Sequence, residues 1–223
     1  MINIKIYLFS LIFLSSFSNT VLAKQVNQSK SSDLSVEADI SIEWFEKEKY
    51  YLAKGNVVLK KDGLTLKADI VRADYDLENG ENVIKKITAR KKVILTKDKS
   101  TATGQFMTYD VEKKIAIISG TFQTFSYPTG YVESKEIIMF DDLKNKAEAN
   151  GNVKIILSNK NIIFADNVKA DFTSKDKSLE KAIAKGNVII ESKEKGKKSK
   201  ADVGVYSSSD QIVRLSGNVT IIN

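Results

Sequence analysis

The side chains of this chain that could do acid–base chemistry are aspartates at matching places in the sequence. Asp69, Asp166 and Asp202 each follow an alanine, and the segments around them are similar. Catalysis by carboxylates usually needs two of them close together, with pKa values set apart by their surroundings. One aspartate at the same place in each segment does not supply such a pair. The pattern therefore predicts a structural role for these carboxylates.

Aromatic residues recur in the same segments, at Tyr75, Tyr109, Phe140 and Phe172. Since two of them have no hydroxyl group, packing explains their recurrence better than chemistry does. The 223 residues include no Cys and no His, which excludes thiol nucleophiles, zinc–sulfur sites, histidine metal sites and Ser-His triads. We therefore predict a protein that is not an enzyme, with no cofactor and no bound metal.

A seven-residue pattern built around a Gly-Asn pair recurs along the chain. The residues in the place of Val57 are separated by 36, 29, 31, 35 and 31 positions, and Phe122 occupies that place in the third copy. A near-constant period of this size indicates a stack of one supersecondary unit. The clear copies are 53–59, 149–155, 184–190 and 215–221, and the degenerate copies are 89–95 and 118–124.

Apolar residues in each copy alternate with polar ones, as Ala53, Val57 and Leu59 do in the first. A period of two is typical of a strand with one buried and one solvated face. We therefore predict an all-β protein in which each unit supplies two strands, which gives about 12–16 antiparallel strands in all. The Gly-Asn pair could be a hairpin turn, but the alternation continues through it, which favours a bend within a strand.

The first 23 residues have the features of a secretory signal peptide. Lys5 precedes an apolar run over 6–17, and Val21-Leu22-Ala23 suits a cleavage site after Ala23. A retained membrane anchor is the alternative, although the run is short for a membrane span. Residues 24–33 are polar and predict a disordered lead, and residues 34–223 predict a single β domain.

The net charge of +7 comes from lysines and arginines that largely alternate with apolar residues along the predicted strands. This arrangement is typical of a solvated outer face. An exported protein without an aromatic and basic platform is not expected to bind nucleic acid.

Predicted strands lie near both ends of the β domain, with no capping element beyond them. An open sheet edge offers unpaired backbone groups, so we expect strand pairing with a second copy or with a related partner. The predicted edge residues are Leu34, Val36, Ile40 and Ile42 at one end and Leu215, Val219 and Ile221 at the other.

Repeated Ala-x-Gly-Asn-Val followed by Ala-Asp and Tyr-Asp, behind the strand Leu-Ser-Val-Glu-Ala-Asp at 34–39, resembles the OstA-like family of lipopolysaccharide-transport proteins. The resemblance covers nearly all of residues 34–223, although Lys91-Lys92 and Gly120-Thr121 replace Gly-Asn. It implies a twisted, open β-jellyroll with an apolar interior groove. It also implies a periplasmic protein that stacks head to tail between inner-membrane and outer-membrane transport components.

Spacing alone leaves open whether the interior is a filled sandwich or an open trough, and the resemblance favours the trough. Such a trough would shelter lipopolysaccharide acyl chains, at roughly 0.8 kcal/mol for each buried CH₂. Two other hypotheses are a membrane-anchored neighbour of similar fold and a secreted structural β-repeat that carries no lipid. The residues predicted to line the groove are Val36, Val57, Leu59, Leu66, Ile87, Val93, Leu95, Phe106, Phe122, Val153, Ile155, Val188 and Ile190.

Overall fold

The computed structural model describes most of the predicted β domain. The described residues are 35–61, 63–128, 130–158, 160–175, 178–192, 196–209 and 212–222. The predicted signal peptide, the predicted lead and the edge residue Leu34 lie outside these ranges. Within them, no helix has the length and apolar composition needed to cross a membrane.

The described residues form sixteen strands in one sheet, and the strand pairs are antiparallel. The all-β prediction is therefore confirmed. The strands are β1 (Ser35–Glu37), β2 (Ser41–Phe45), β3 (Tyr50–Lys61), β4 (Leu64–Glu78), β5 (Glu81–Lys97), β6 (Ser100–Asp110), β7 (Ile115–Ser119), β8 (Gln123–Tyr127), β9 (Gly130–Ser134), β10 (Ile137–Asp141), β11 (Lys146–Leu157), β12 (Ile162–Phe172), β13 (Leu179–Ser192), β14 (Lys197–Ser207), β15 (Ile212–Ser216) and β16 (Thr220–Ile222).

Short strands occur in pairs that together match the length of one long strand. β1 and β2 both pair with β3, and β15 and β16 both pair with β14. In the middle of the sheet, β7 and β8 pair with β6, while β9 and β10 pair with β11. Each pair is therefore one strand interrupted at the place where the long strands bend.

Three of the long strands, β3, β11 and β13, bend at Gly-Asn pairs, where the register with the neighbouring strand shifts. In β3, the register shifts between Lys54 and Val57, and Gly55 and Asn56 have φ values of +85° and +41°. Gly lacks a Cβ and Asn tolerates the left-handed region, so this pair suits a bulge. The prediction of a bend within a strand, rather than a hairpin turn, is confirmed.

The same bulge recurs along the sheet and defines a line that we call the crease. Its other members are Lys91-Lys92, Gly151-Asn152, Gly186-Asn187 and Gly217-Asn218, all with positive φ. The two parts of the sheet on either side of the crease are called walls. The same sheet face is apolar in both walls, so folding at the crease brings the two apolar faces together.

Two clusters of buried side chains fill the space next to the crease. The first includes Val57, Val93 and Ile118, and the second includes Val153 and Val188. Phe125 in β8 and Phe140 in β10 pack against both clusters. The core is therefore continuous along the crease, with these two rings at the junction.

Candidate functional site

The interior face is most deeply buried where the strands leave the bulges. Val57, Val93, Val153 and Val188 each follow a bulge pair and are at most 1% exposed. Their side chains point into the angle between the walls, because the bulge keeps the same face inward on both sides of the bend. The structure brings these four predicted residues together along one line, where little room is left beside them.

Burial decreases with distance from the crease on β3, β5, β11 and β13, whereas Tyr75, six residues beyond Asp69 on β4, is only 4% exposed. Leu59 and Leu66 are still buried, whereas the next positions on the interior face are only partly buried while packing against the two clusters. The result is an apolar surface that is closed near the crease and partly open at its rim. The partly exposed members that were predicted from the sequence are Val36, Ile87, Leu95, Ile155 and Ile190.

The prediction that Phe106 faces the interior is wrong. Phe106 is 46% exposed and pairs with Arg90 on the outer face, while the next residue, Met107, is 2% exposed. Gly104 faces inward, because a Cβ there would collide with the side chain of Ile118. Gln105 and Phe106 both have exposed side chains. The reason is that β6 also bends at the crease, and the alternation of inward and outward residues shifts by one position there.

The interior placement of Phe122 is also wrong, since this side chain is 49% exposed. The break between β7 and β8 at Gly120 contains one more residue than the Gly-Asn bulges do. Gln123, which is fully buried, therefore takes the interior place. Sequence reasoning missed this residue, although Thr121 in place of Asn after Gly120 was a signal that the third copy differs.

Gln123 is an unusual member of the interior line. Neither atom of its side-chain amide has a hydrogen-bond partner among the described residues. Its cross-strand neighbour Ser134 is also fully buried, but the Ser134 hydroxyl donates a 3.0 Å hydrogen bond to the Ile137 carbonyl and contacts the Asn150 carbonyl. Gln123 is thus a buried polar group whose desolvation is not offset by a protein partner.

The two walls touch at the middle of the interior. The rings of Phe125 and Phe140 meet edge to face with centroids 4.8 Å apart, and Phe125 also stacks on Tyr127 at 5.4 Å. Burial raises the pKa of the Tyr127 hydroxyl. We call this contact the waist, because its two rings lie where the two core clusters meet.

The recurring aspartates bind the bulge residues of the neighbouring strand, on the outer side of the crease. Their carboxylates accept hydrogen bonds from bulge asparagines, and the lysine of the degenerate copy forms an ion pair instead. This arrangement gives the aspartates the structural role that their recurrence predicts. The pairs are Asn56–Asp39 at 2.8 Å, Lys92–Asp69 at 3.5 Å, Asn187–Asp166 at 2.9 Å and Asn218–Asp202 at 3.0 Å.

The two ends of the sheet differ in how much of their apolar surface is covered. Near β1 and β2, Val36 and Ile42 pack against the first cluster, while Ile40 is 77% exposed. At the other end, Val219 and Ile221 are 48% and 66% exposed, and the residues of β16 are exposed throughout. Leu215 is partly buried.

Among the residues that the structure describes, no group of three or more acidic side chains could hold a metal ion. Asp171 pairs with Lys146 on the adjacent strand, and Glu148 binds Lys169 and Asn167.

Comparisons with known proteins assign the chain to a family. No curated protein sequence matches it. One solved structure, of LptH, the LptA homologous periplasmic component of the lipopolysaccharide transport device from Pseudomonas aeruginosa, is similar to it with 13% identity and a TM-score of 0.27, covering 86% of this chain and 95% of that one. The profile of the family described as LptA/(LptD N-terminal domain) LPS transport protein matches residues 35–140 and again 131–223. The chain belongs to this family of lipopolysaccharide-transport proteins, which are not enzymes.

Proposed function

We propose that this protein carries lipopolysaccharide across the periplasm, with the acyl chains held between the two walls of the bent sheet. The observation that supports this proposal is the gradient of burial on the interior face. Val93 and Val188 at the crease are buried, while Leu95 and Ile190 nearer the rim are apolar and partly exposed. A carrier needs such a rim, because the lipid must enter and leave sideways without unfolding the protein.

The dimensions of the sheet suit this role. The longest path of hydrogen-bonded strands runs through twelve strands. At about 4.8 Å between neighbours, the interior surface is roughly 50 Å long, measured across the strands. This length exceeds that of a single fatty acyl chain. Each CH₂ moved from water into such a surface contributes roughly 0.8 kcal/mol.

The proposal includes assembly through the two sheet edges, with a second copy or with related domains of inner-membrane and outer-membrane components. Edge strands carry unpaired N–H and C=O groups that a further strand can bind. Ile40 and Ile221 place exposed apolar side chains beside these groups. The proposed edge surfaces are Leu34, Val36, Ile40 and Ile42 at one end and Leu215, Val219 and Ile221 at the other.

Site-specific photocrosslinking in cells tests the groove. A crosslinking residue is placed at Ile155 or Leu95 on the interior face, and at Ile156 or Ile94, which are adjacent on the opposite face. Because neighbours in a strand point to opposite faces, each pair differs only in the surface that it samples. Lipopolysaccharide adducts are expected at Ile155 and Leu95 and not at their partners.

Equal adducts on both faces, or no adducts in a folded protein, would contradict the groove. The result would favour a structural β-repeat that carries no lipid. Thermal unfolding of each variant establishes that it is folded.

Export is part of the proposal and has its own test. Sequencing the N-terminus of the protein from the periplasmic fraction should give Lys24 as the first residue, since cleavage is expected after Ala23. An intact Met1 in a membrane fraction would favour the membrane-anchored neighbour of similar fold.

A further inference from the structure

A concave site lies on the outer face of β3, β4 and β5, on the side of the sheet away from the proposed groove. Its volume is about 640 Å³, which is within the range of sites that hold small molecules. The lining residues alternate with interior ones along each strand, as Leu52 does with Ala53 and Arg72 with Val71. The residues that line it are Tyr50, Leu52, Ile70, Arg72, Asp74, Lys86, Thr88 and Arg90.

One side of this outer site is organised around Arg72. Its Nε donates a 2.7 Å hydrogen bond to Oδ1 of Asp74, and a terminal nitrogen lies 2.6 Å from the same oxygen. Its guanidinium carbon is 3.8 Å from the centroid of the Tyr50 ring. Arg72 therefore neutralises Asp74, the acidic residue of the site, and is itself held in place by an aromatic face.

The side chains of Lys86 and Arg90 have no ion-pair or hydrogen-bond partner among the residues that the structure describes. Strand register explains this for Lys86. It lies between Asp74 of β4 and Asp110 of β6, but Asp74 binds Arg72, and Asp110 binds Lys113 at 3.1 Å. Both acids next to Lys86 are thus paired with other cations.

The residues directly opposite Arg90 on the two adjacent strands are not acidic, and Asp69, the nearest acid along β4, pairs with Lys92. The cross-strand partners of Arg90 are Ile70 of β4 and Phe106 of β6. Elsewhere on the outer face, lysines do meet acids across the ladder. Lys146 binds Asp171 at 3.0 Å, and Lys169 binds Glu148 at 3.4 Å.

The side-chain types of the two cations, with the hydroxyl group between them, indicate the kind of ligand. Lys86 and Arg90 are four residues apart on one face of β5, which places their backbones about 13 Å apart at 3.3 Å per residue. Thr88 lies between them with a hydroxyl group. Arginine binds phosphate oxygens through two parallel hydrogen bonds, and lysine binds them as a point charge.

We propose that this outer site binds a phosphate group of an amphiphilic ligand, with Arg90 and Lys86 on the phosphate. Leu52, Ile70 and the Tyr50 ring would contact the apolar part of the headgroup. A free phosphate ester offers the same anionic chemistry as a lipid headgroup, so the test must separate the two sources. This site does not depend on the proposed carrier function, since it lies on the opposite face of the sheet.

The test measures binding of the purified protein to three probes by isothermal titration calorimetry. The probes are phosphatidylcholine vesicles containing phosphatidic acid, vesicles of phosphatidylcholine alone, and inorganic phosphate. Saturable binding to the phosphatidic acid vesicles and none to phosphatidylcholine is expected. Accompanying binding of inorganic phosphate would assign recognition to the phosphate group itself, and its absence would assign it to the headgroup.

Two double variants locate the binding. Lys86→Gln with Arg90→Gln should weaken binding about tenfold or more, because two charge-assisted hydrogen bonds are lost. Lys146→Gln with Lys169→Gln removes the same charge from the same face of the sheet, at lysines that are paired with acids. This control should change the affinity less than about threefold.

Equal weakening by both double variants would overturn the proposal, because net charge alone would then explain binding. The proposal would also fail if neither phosphate probe bound the protein. A fourth probe, an oligo-glutamate peptide, is then titrated in the same way, and it could bind in a manner that depends on Lys86 and Arg90. That outcome would assign the surface to an acidic protein partner. Thermal unfolding of both variants establishes that each is folded.

Discussion

At the scale of single residues, the bulge pairs decide where each strand bends. Gly186 and Asn187 have φ values of +73° and +46°, which these two residue types adopt at low cost. Lys91 and Lys92 adopt the same conformation with φ values of +64° and +51°. For other residues with a Cβ, such as Lys, this backbone conformation costs roughly 1 kcal/mol or more of conformational free energy. The degenerate copy therefore keeps the bend at the expense of backbone strain.

Replacing Lys91 by Gly and Lys92 by Asn should increase the free energy of unfolding by about 1–2 kcal/mol, because the strain is removed. The asparagine can also donate to Asp69, as Asn56 does to Asp39. Urea unfolding measures the change. The control is the same replacement at Lys60 and Lys61, which form an adjacent pair in β3 without positive φ. An equal gain there would contradict the explanation from strain.

Gln123→Leu should also stabilise the protein, by about 1–3 kcal/mol, since it replaces two buried amide atoms that lack partners. Ser134→Ala should do the opposite, by about 1 kcal/mol, because the Ser134 hydroxyl is hydrogen-bonded. Both are measured by urea unfolding. A loss of stability in Gln123→Leu would mean that the Gln123 amide is hydrogen-bonded in solution.

At the scale of elements, two of the turns between strands are built alike. The turns after β6 and β10 begin with Asp110 and Asp141, whose Oδ1 atoms accept the backbone N–H of Lys113 and Lys144 at 2.9 and 3.0 Å. These backbone hydrogen bonds, together with the ammonium groups of the same lysines, hold the pKa of both carboxyl groups below the ordinary range. Each turn then ends in a residue with positive φ.

A lowered pKa in the folded state has a definite consequence for stability. The contribution of Asp110 and Asp141 is present above the pKa of an unfolded aspartate, about 3.9, and is lost as the pH falls through their lower folded values. The melting temperature should therefore fall as the pH is lowered below about 4. Asp110→Asn with Asp141→Asn should reduce this fall, and thermal unfolding between pH 7 and pH 3 measures it. An unchanged pH profile in the double variant would contradict the assignment.

At the scale of the whole molecule, two halves are joined at the waist. The two ranges that match the family profile overlap at 131–140, close to Phe125 and Phe140, where the two core clusters meet. Each match therefore coincides with one cluster. The two halves share a single sheet, whose edges are β1 with β2 and β15 with β16.

Association through these edges should depend on both of them. Ile40→Lys and Ile221→Lys should each weaken self-association about tenfold, because each places a charge where a strand of another copy would pack. Sedimentation velocity at several concentrations measures this. Leu143→Lys is the control, since Leu143 is 58% exposed in the turn after β10, away from both edges. A similar loss in Leu143→Lys, or none in the edge variants, would contradict association through the edges.

The sequence by itself determined the fold class and the bends. Alternation with a period of two is a property of each segment alone, and alternation that continues through a Gly-Asn pair favours a bend within the strand over a hairpin turn. For this reason Val57, Val93, Val153 and Val188 could be placed inside before the structure was known, and the family resemblance could be drawn from the same copies.

Only the tertiary structure decided which residues face inward where the repeat is irregular, and which side chains meet. One additional residue at a bend exchanges the two faces, so Met107 and Gln123 lie inside where Phe106 and Phe122 were predicted. The waist depends on contact between the two walls, and the outer site depends on the register among β3, β4 and β5. Pairing across the ladder places Ile70 and Phe106, and no acid, directly opposite Arg90, and alternation within β5 cannot reveal this.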